Sequence, residues 1–342
     1  MDTLIQQLIN GLVLGSVYAL VALGYTMVYG ILQLINFAHG DVLMIGAMVS
    51  LTVLGIIKAV APSTPLVLQL VIATAVAVPV CMLIAAAIER IAYRPLRNSP
   101  RLAPLITAIG VSIILQTLAM IIWSPNPRVY PDLLPTTPFE IGGALLAPKQ
   151  LLILVVATLS MAGLLLLINK TRLGRAMRAV SENPRIANLM GVNPDRIITA
   201  TFMLGAGLAA IAGVLVAMNY NIAQFTMGFL LGLKAFTAAV LGGIGNLGGA
   251  VAGGLLLGII EALGAGYIGD LTGGFLGSHY QDIFAFAVLI VVLIFRPSGL
   301  LGERVADRAE RLGNGQCTGV MCPFHSPVAT PFGRQLGLVL HF

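Results

Sequence analysis

Charge is scarce in this sequence. Only 9% of its 342 residues are Asp, Glu, Lys or Arg, whereas 58% are hydrophobic. A globular domain in water carries about 25% charged residues, so this chain cannot cover a conventional aqueous surface. It also lacks the alternating segments of roughly ten residues that mark a membrane β-barrel. Cysteine is nearly missing. Of three, Cys81 lies in an apolar run and Cys317 and Cys322 lie near the C-terminus, which gives no disulfide framework. The opening residues Met1, Asp2 and Thr3 carry no basic region and no small-residue cleavage motif follows, so no removable signal peptide is expected.

Chemistry is equally sparse. No Gly-x4-Gly-Lys-Ser/Thr motif occurs, which excludes a P-loop of the chain's own, and no nucleophile–base or His-Glu-x-x-His arrangement suggests an enzyme. A literal Gly-x-Gly-x-x-Gly at Gly243, Gly245 and Gly248 lies inside an apolar run. A dinucleotide site needs that motif between a strand and a helix, so the match is discounted. Cys317, Cys322 and His325 fall short of the four closely spaced ligands of a structural zinc site, and no metal is expected.

What is present is a series of long apolar runs, at residues 4–28, 42–60, 66–88, 104–123, 151–168, 197–218, 233–268 and 283–295. A membrane-spanning helix needs about 20 such residues. The net charge of +6 is concentrated between them, which argues against a nucleic-acid surface. One basic cluster comprises Arg90, Arg94, Arg97 and Arg101; a second runs from Lys170 to Arg196; a third comprises Arg296, Arg304, Arg308 and Arg311. Lys58, Arg128, Lys149 and Lys234 fall on the other side. Short loops rich in Lys and Arg stay in the cytoplasm, so the three clusters face inward and the N-terminus faces outward. Parity then requires the 233–268 stretch to cross twice or to enter and return. The expected fold is an all-α polytopic bundle of about eight spans plus a Gly-rich broken or re-entrant element, occupying residues 1–302. A polar cytoplasmic tail is expected over 303–342. The outward loop at 124–150 holds six prolines, five of them between 125 and 138, and suits either a plain connector or a docking surface.

Three places attract attention within the bundle. Asn36, His39, Gly40 and Asp41 form a polar break after the first run: either a functional break at membrane depth or a helix end with Asp41 as cap. Gly242, Gly243, Gly245 and Asn246 break the Gly-rich stretch, which serves tight packing or lines a path. Glu261 sits in an apolar run, where structural pairing and contact with a substrate amine are both open. On the inner side, Asn183 and Pro184 can start a short helix whose face is Ile186, Leu189 and Met190, with Gly191 as its C-terminal cap. Such a helix, with Glu182 at its head, lies on the membrane or fits a partner's groove.

Taken together, these blocks resemble one family. Leu-Ile-Asn-Phe-Ala-His-Gly-Asp at 34–41, the blocks around Ser181 and Gly191, Gly-Leu-Lys-Ala-Phe-Thr-Ala-Ala-Val-Leu-Gly-Gly-Ile-Gly at 232–245 and the closing Arg-Pro-Ser-Gly-Leu-Leu-Gly at 296–302 are similar to permeases of branched-chain amino-acid ABC importers. The resemblance spans about residues 4–302. It implies an inner-membrane transport subunit without ATPase activity, working by alternating access. Its implied partners are a homologous second permease, two cytoplasmic subunits that bind ATP and Mg, and a periplasmic binding protein. It further implies that residues 182–191 form the coupling helix. Within the family the substrate could equally be urea, a short amide or another amino acid; outside it, an ion-coupled carrier would have to rely on His39, Asp41 and Glu261.

Overall fold

The computed structural model describes residues 2–34, 36–97, 99–100, 102–132, 138–141, 144–271, 281–296 and 298–302. The expected tail at 303–342, with Cys317, Cys322 and His325, lies outside the described residues, as does Arg101.

Eleven helices are described: α1 (Asp2–Leu32), α2 (His39–Val60), α3 (Leu66–Ile88), α4 (Leu102–Trp123), α5 (Pro148–Lys170), α6 (Arg172–Glu182), α7 (Pro184–Leu189), α8 (Pro194–Tyr220), α9 (Met227–Gly242), α10 (Leu247–Leu271) and α11 (Gln281–Phe295). A π-helical turn, Glu89–Tyr93, continues α3. Seven helices are long and apolar enough to cross a membrane, and α9 and the apolar part of α11 are shorter. The protein is a multi-pass helical bundle. The Gly-rich stretch resolves into α9 and α10, joined through Gly243 and Asn246 rather than through a strand.

Lipid tails are as apolar as leucine, so helices in a bilayer are held together by close packing and internal hydrogen bonds rather than by escape from water. The packing of α1 on α10 shows how. A Cβ at Gly15 would meet the Leu255 Cα at 2.8 Å, and one at Gly11 would meet the Ile259 Cα at 2.7 Å. Gly254 faces Ala19, so the two helices run antiparallel with backbones nearly touching. The order of contacts agrees with the parity argument, which sends α1 inward and α10 outward. Together with α8 and α2 these helices form the core, whereas α4 keeps Leu102, Ile106, Ile113 and Ile121 turned outward.

The loop at 124–150 is tied down at several points. Strand β1 (Arg128–Val129) pairs antiparallel with β4 (Ile222–Ala223), and β2 (Phe139–Ile141) pairs with β3 (Ala144–Leu146). Gln6 on α1 accepts from the Leu145 N–H at 2.9 Å, and Lys149 donates to the Asn219 carbonyl at 3.3 Å. Tyr130 is buried beneath the loop, 3.3 Å from the Ser50 hydroxyl. Burial pushes its phenol above the ordinary value, against a smaller opposite effect of Ser50.

Candidate functional site

The polar break after α1 is buried among helices. Residues Asn36, His39 and Asp41 are 5%, 3% and 0% exposed. Helix α2 opens at His39 with Ala38 as N-cap and no side-chain cap, so Asp41 does not cap it as one reading allowed. Instead the Asp41 carboxylate accepts from Ser112 and, at 3.0 Å, from Gln116, both near the middle of α4. These donors are neutral, and among the described residues no salt bridge reaches Asp41.

His39 lies against Gly24 of α1 and Gly205 in the interior of α8, with its ring edge-on to Tyr25 at 4.9 Å between centroids. Among the described residues its Nε2 is buried without a hydrogen-bond partner. Gly40 lets α2 reach α9: a Cβ there would meet the Gly232 Cα at 2.8 Å and would collide with the Gly228 carbonyl. The side chains of His39 and Asp41 therefore sit part-way along membrane-length helices, where a polar group is costly.

The other path candidates are not brought to this place. Gly242 ends α9 and Gly243 and Gly245 adopt φ of 103° and 99°. Asn246 donates to the Leu301 carbonyl at 2.9 Å and accepts from the Gly249 N–H at 3.2 Å. The turn is thus sewn to the segment that follows α11, at the basic end of the bundle. Glu261 is a third, separate feature. It pairs with Lys234 at 2.6 Å, and the two side chains are 1% and 10% exposed. Lys234, assigned from the sequence to the outward side, is instead buried on α9. A single ammonium in an apolar run reads as the edge of a span until its carboxylate is found on another helix.

At the basic end, the inner connection folds as α6 and α7. Glu182 is the last residue of α6, so α7 is shorter than the expected 182–191 helix and begins at Pro184. Asn183 caps α7, accepting from the N–H groups of Arg185 and Ile186 at 3.0 and 3.1 Å. At the far end the Val192 N–H reaches the Ala187 carbonyl at 3.0 Å and the Gly191 N–H reaches Asn188 at 3.1 Å. This is the Schellman closure, which needs a left-handed residue; Gly191 supplies φ of 85°. Between these fixed ends Ile186, Leu189 and Met190 are 57%, 85% and 80% exposed.

Sequence reading overlooked a polar cluster beside α7. Asp195 pairs with Arg94 and, at 2.6 Å, with Arg97, which also binds the fully buried Glu89. Thr199 donates to Glu89 at 2.7 Å. The arginines were accounted for as topology-setting charges, which left no reason to look for partners. Among the described residues no group of three His, Cys, Asp or Glu could hold a metal.

Comparison with known proteins supplies the context for this geometry. The family model for the permease component of branched-chain amino acid transport systems matches residues 7–293. The chain is 48% identical to the high-affinity branched-chain amino acid transport system permease protein BraD of Pseudomonas aeruginosa, over 89% of this chain and 97% of that one. It is 43% identical to the corresponding LivH of Escherichia coli, with the same two coverages of 89% and 97%. A solved structure, PsaBC from Streptococcus pneumoniae in complex with Fab, aligns at 14% identity and a TM-score of 0.40 over 92% of this chain and 94% of that one. That likeness is too distant to inform the site. A polytopic bundle with a buried polar break, matched along most of its length, is a transport subunit: the chain belongs to the family of permease components of branched-chain amino acid transport systems.

Proposed function

We propose that this chain is the permease subunit of an ATP-driven importer that carries branched-chain amino acids across a bacterial inner membrane by alternating access. The observation that carries the coupling half is α7. Three large apolar side chains are exposed on a helix that is capped at both ends, and in this reading they face the cytoplasm. Leaving them there has a cost of order 1.5–3 kcal/mol per fully exposed side chain, which a partner's groove removes. The partners in this reading are two cytoplasmic subunits that bind ATP and Mg, a second permease of the same family and a periplasmic binding protein. Glu182, Asn183, Ile186, Leu189, Met190 and Gly191 then form the coupling segment.

The substrate half is supported by near full-length similarity to two permeases named for branched-chain amino acids. In this reading Asn36, His39, Gly40 and Asp41 line the path and the turn of Gly242, Gly243, Gly245 and Asn246 bounds its inner end. Glu261 stands apart, engaged with Lys234. High affinity resides in the binding protein, so the path needs only weak contacts.

The test is uptake by the assembled complex in vesicles, with leucine, urea and acetamide offered separately, for the parent chain and for Leu189→Asp. Leucine uptake that needs ATP, and a Leu189→Asp chain that no longer co-purifies with the ATPase subunits, are expected. Urea or acetamide uptake in place of leucine would remove the substrate assignment. Uptake by this chain alone under an ion gradient would remove the ATP-driven reading altogether.

A further inference from the structure

Two sets of polar contacts, one at the α7 junction and one at the buried break, are joined by the backbone of the π-helical turn Glu89–Tyr93. At the near end, Asn193 caps α8 by accepting from Asp195 and Arg196 at 3.0 and 3.3 Å. This places Asp195 in the first turn of α8, six residues beyond the end of α7. Arg97 bridges Asp195 to Glu89. One π turn on, the Tyr93 hydroxyl donates to Asn36 Oδ1 at 2.9 Å, and the Asn36 carbonyl accepts from the N–H of His39 at 3.1 Å. The Tyr93 ring also rests on Phe202 of α8 at 5.4 Å.

We propose that this turn is the transmission element of the permease: Asp195, Arg97 and Glu89 take up the movement of the α7–α8 junction, and Tyr93 delivers it to Asn36 at the base of α2. Two physical arguments support the assignment. Glu89 is 0% exposed, so its carboxylate cannot release Arg97 without becoming an unpaired buried charge, and the link behaves as a stiff one. A π turn holds one residue more than an α turn over the same hydrogen-bonded span and recurs where helices work. Regularising it rotates Tyr93 relative to Glu89, which gives the element two arrangements, the requirement for carrying coupling between sites. Glu89, Tyr93 and Arg97 are positioning residues in this scheme and touch no substrate. The inference rests on α7 being the seat of the ATPase subunits.

The experiment uses the whole complex in vesicles and reads leucine imported per ATP hydrolysed. Tyr93→Phe removes one hydroxyl, and Glu89→Gln removes the buried charge. Each is expected to lower the ratio by roughly fivefold or more, the lower end of ordinary coupling between sites. ATPase subunits remain bound, and the double variant falls no further than the worse single. Parental ratios in both singles, or losses that multiply in the double, would overturn the proposal. Should Glu89→Gln fail to fold, Thr199→Val takes its place, since it removes a neutral donor to Glu89, a hydroxyl that otherwise reaches only the Asp195 carbonyl of its own helix among the described residues. Leu189→Asp run in parallel separates the two readings. Full ATPase binding to that variant discards the role of α7, whereas undiminished ratios in both Tyr93→Phe and Glu89→Gln discard the transmission role alone.

Discussion

The Lys234 ammonium lies 2.6 Å from a Glu261 carboxylate oxygen, joining α9 to α10 within the bundle. Tyr18 of α1 presents its ring 5.9 Å from the same nitrogen. A buried pair gains little over an apolar replacement, but removing one member leaves the other charge uncompensated, at about 3–5 kcal/mol. Lys234→Met and Glu261→Met alone are therefore expected to be far less stable than the double variant. Melting of the three purified proteins in one detergent decides it; a double variant no better than the singles contradicts the pairing argument.

Asp41 depends on α4 for its partners. Ser112→Ala and Gln116→Leu each remove one donor while the carboxylate stays buried, so each should cost about 1–3 kcal/mol. Thr107→Ala serves as the control, because among the described residues its hydroxyl bonds only its own helix at Ala103. Equal melting temperatures for all three variants would show that the clasp is energetically idle.

Glycines in this chain are predicted to differ sharply in tolerance. A Cβ at Gly40 would strike the backbone of α9, whereas one at Gly30 meets nothing within 4 Å. Gly40→Ala should disrupt the approach of α2 to α9 and abolish uptake. Gly30→Ala should leave uptake intact and stabilise α1 by about 0.5–1 kcal/mol through the chain entropy it removes. Uptake assays on both variants make the comparison, and a functional Gly40→Ala refutes it.

The cap of α7 offers a milder test. Gly191 has open space around it, so a substitution there is felt through φ alone. Gly191→Asn should retain most ATPase binding and Gly191→Val should lose much of it, since a β-branched residue is strained in the left-handed region by about 1–3 kcal/mol. Equal binding by the two variants would detach the cap from the docking surface.

The spans were legible in the sequence because apolar runs of membrane length admit few alternatives. The helix at Pro184 was also legible, since Asn183 and Gly191 are local signals acting within a few residues. Interhelical partners were not. Nothing near Asp41 in sequence points to Ser112 or Gln116, and Asp41 read equally well as a cap. Glu182 was read with Asn183 and Pro184 as the start of α7; it instead ends α6, and Asn183 caps α7 by accepting from Arg185 and Ile186. Arg97 read as a topology-setting charge, and nothing near it in sequence points to Asp195. Tertiary contacts alone reveal such pairs.

The near-touching backbones of α1 and α10 bear on how the protein is made. Gly15 and its neighbour Leu255 are separated by most of the chain. At about 5–20 residues per second of synthesis, the first helix enters the bilayer tens of seconds before the surface that matches it exists. Its glycine-lined face must meanwhile rest against lipid or the insertion machinery, so assembly of the core waits until α10 has been made.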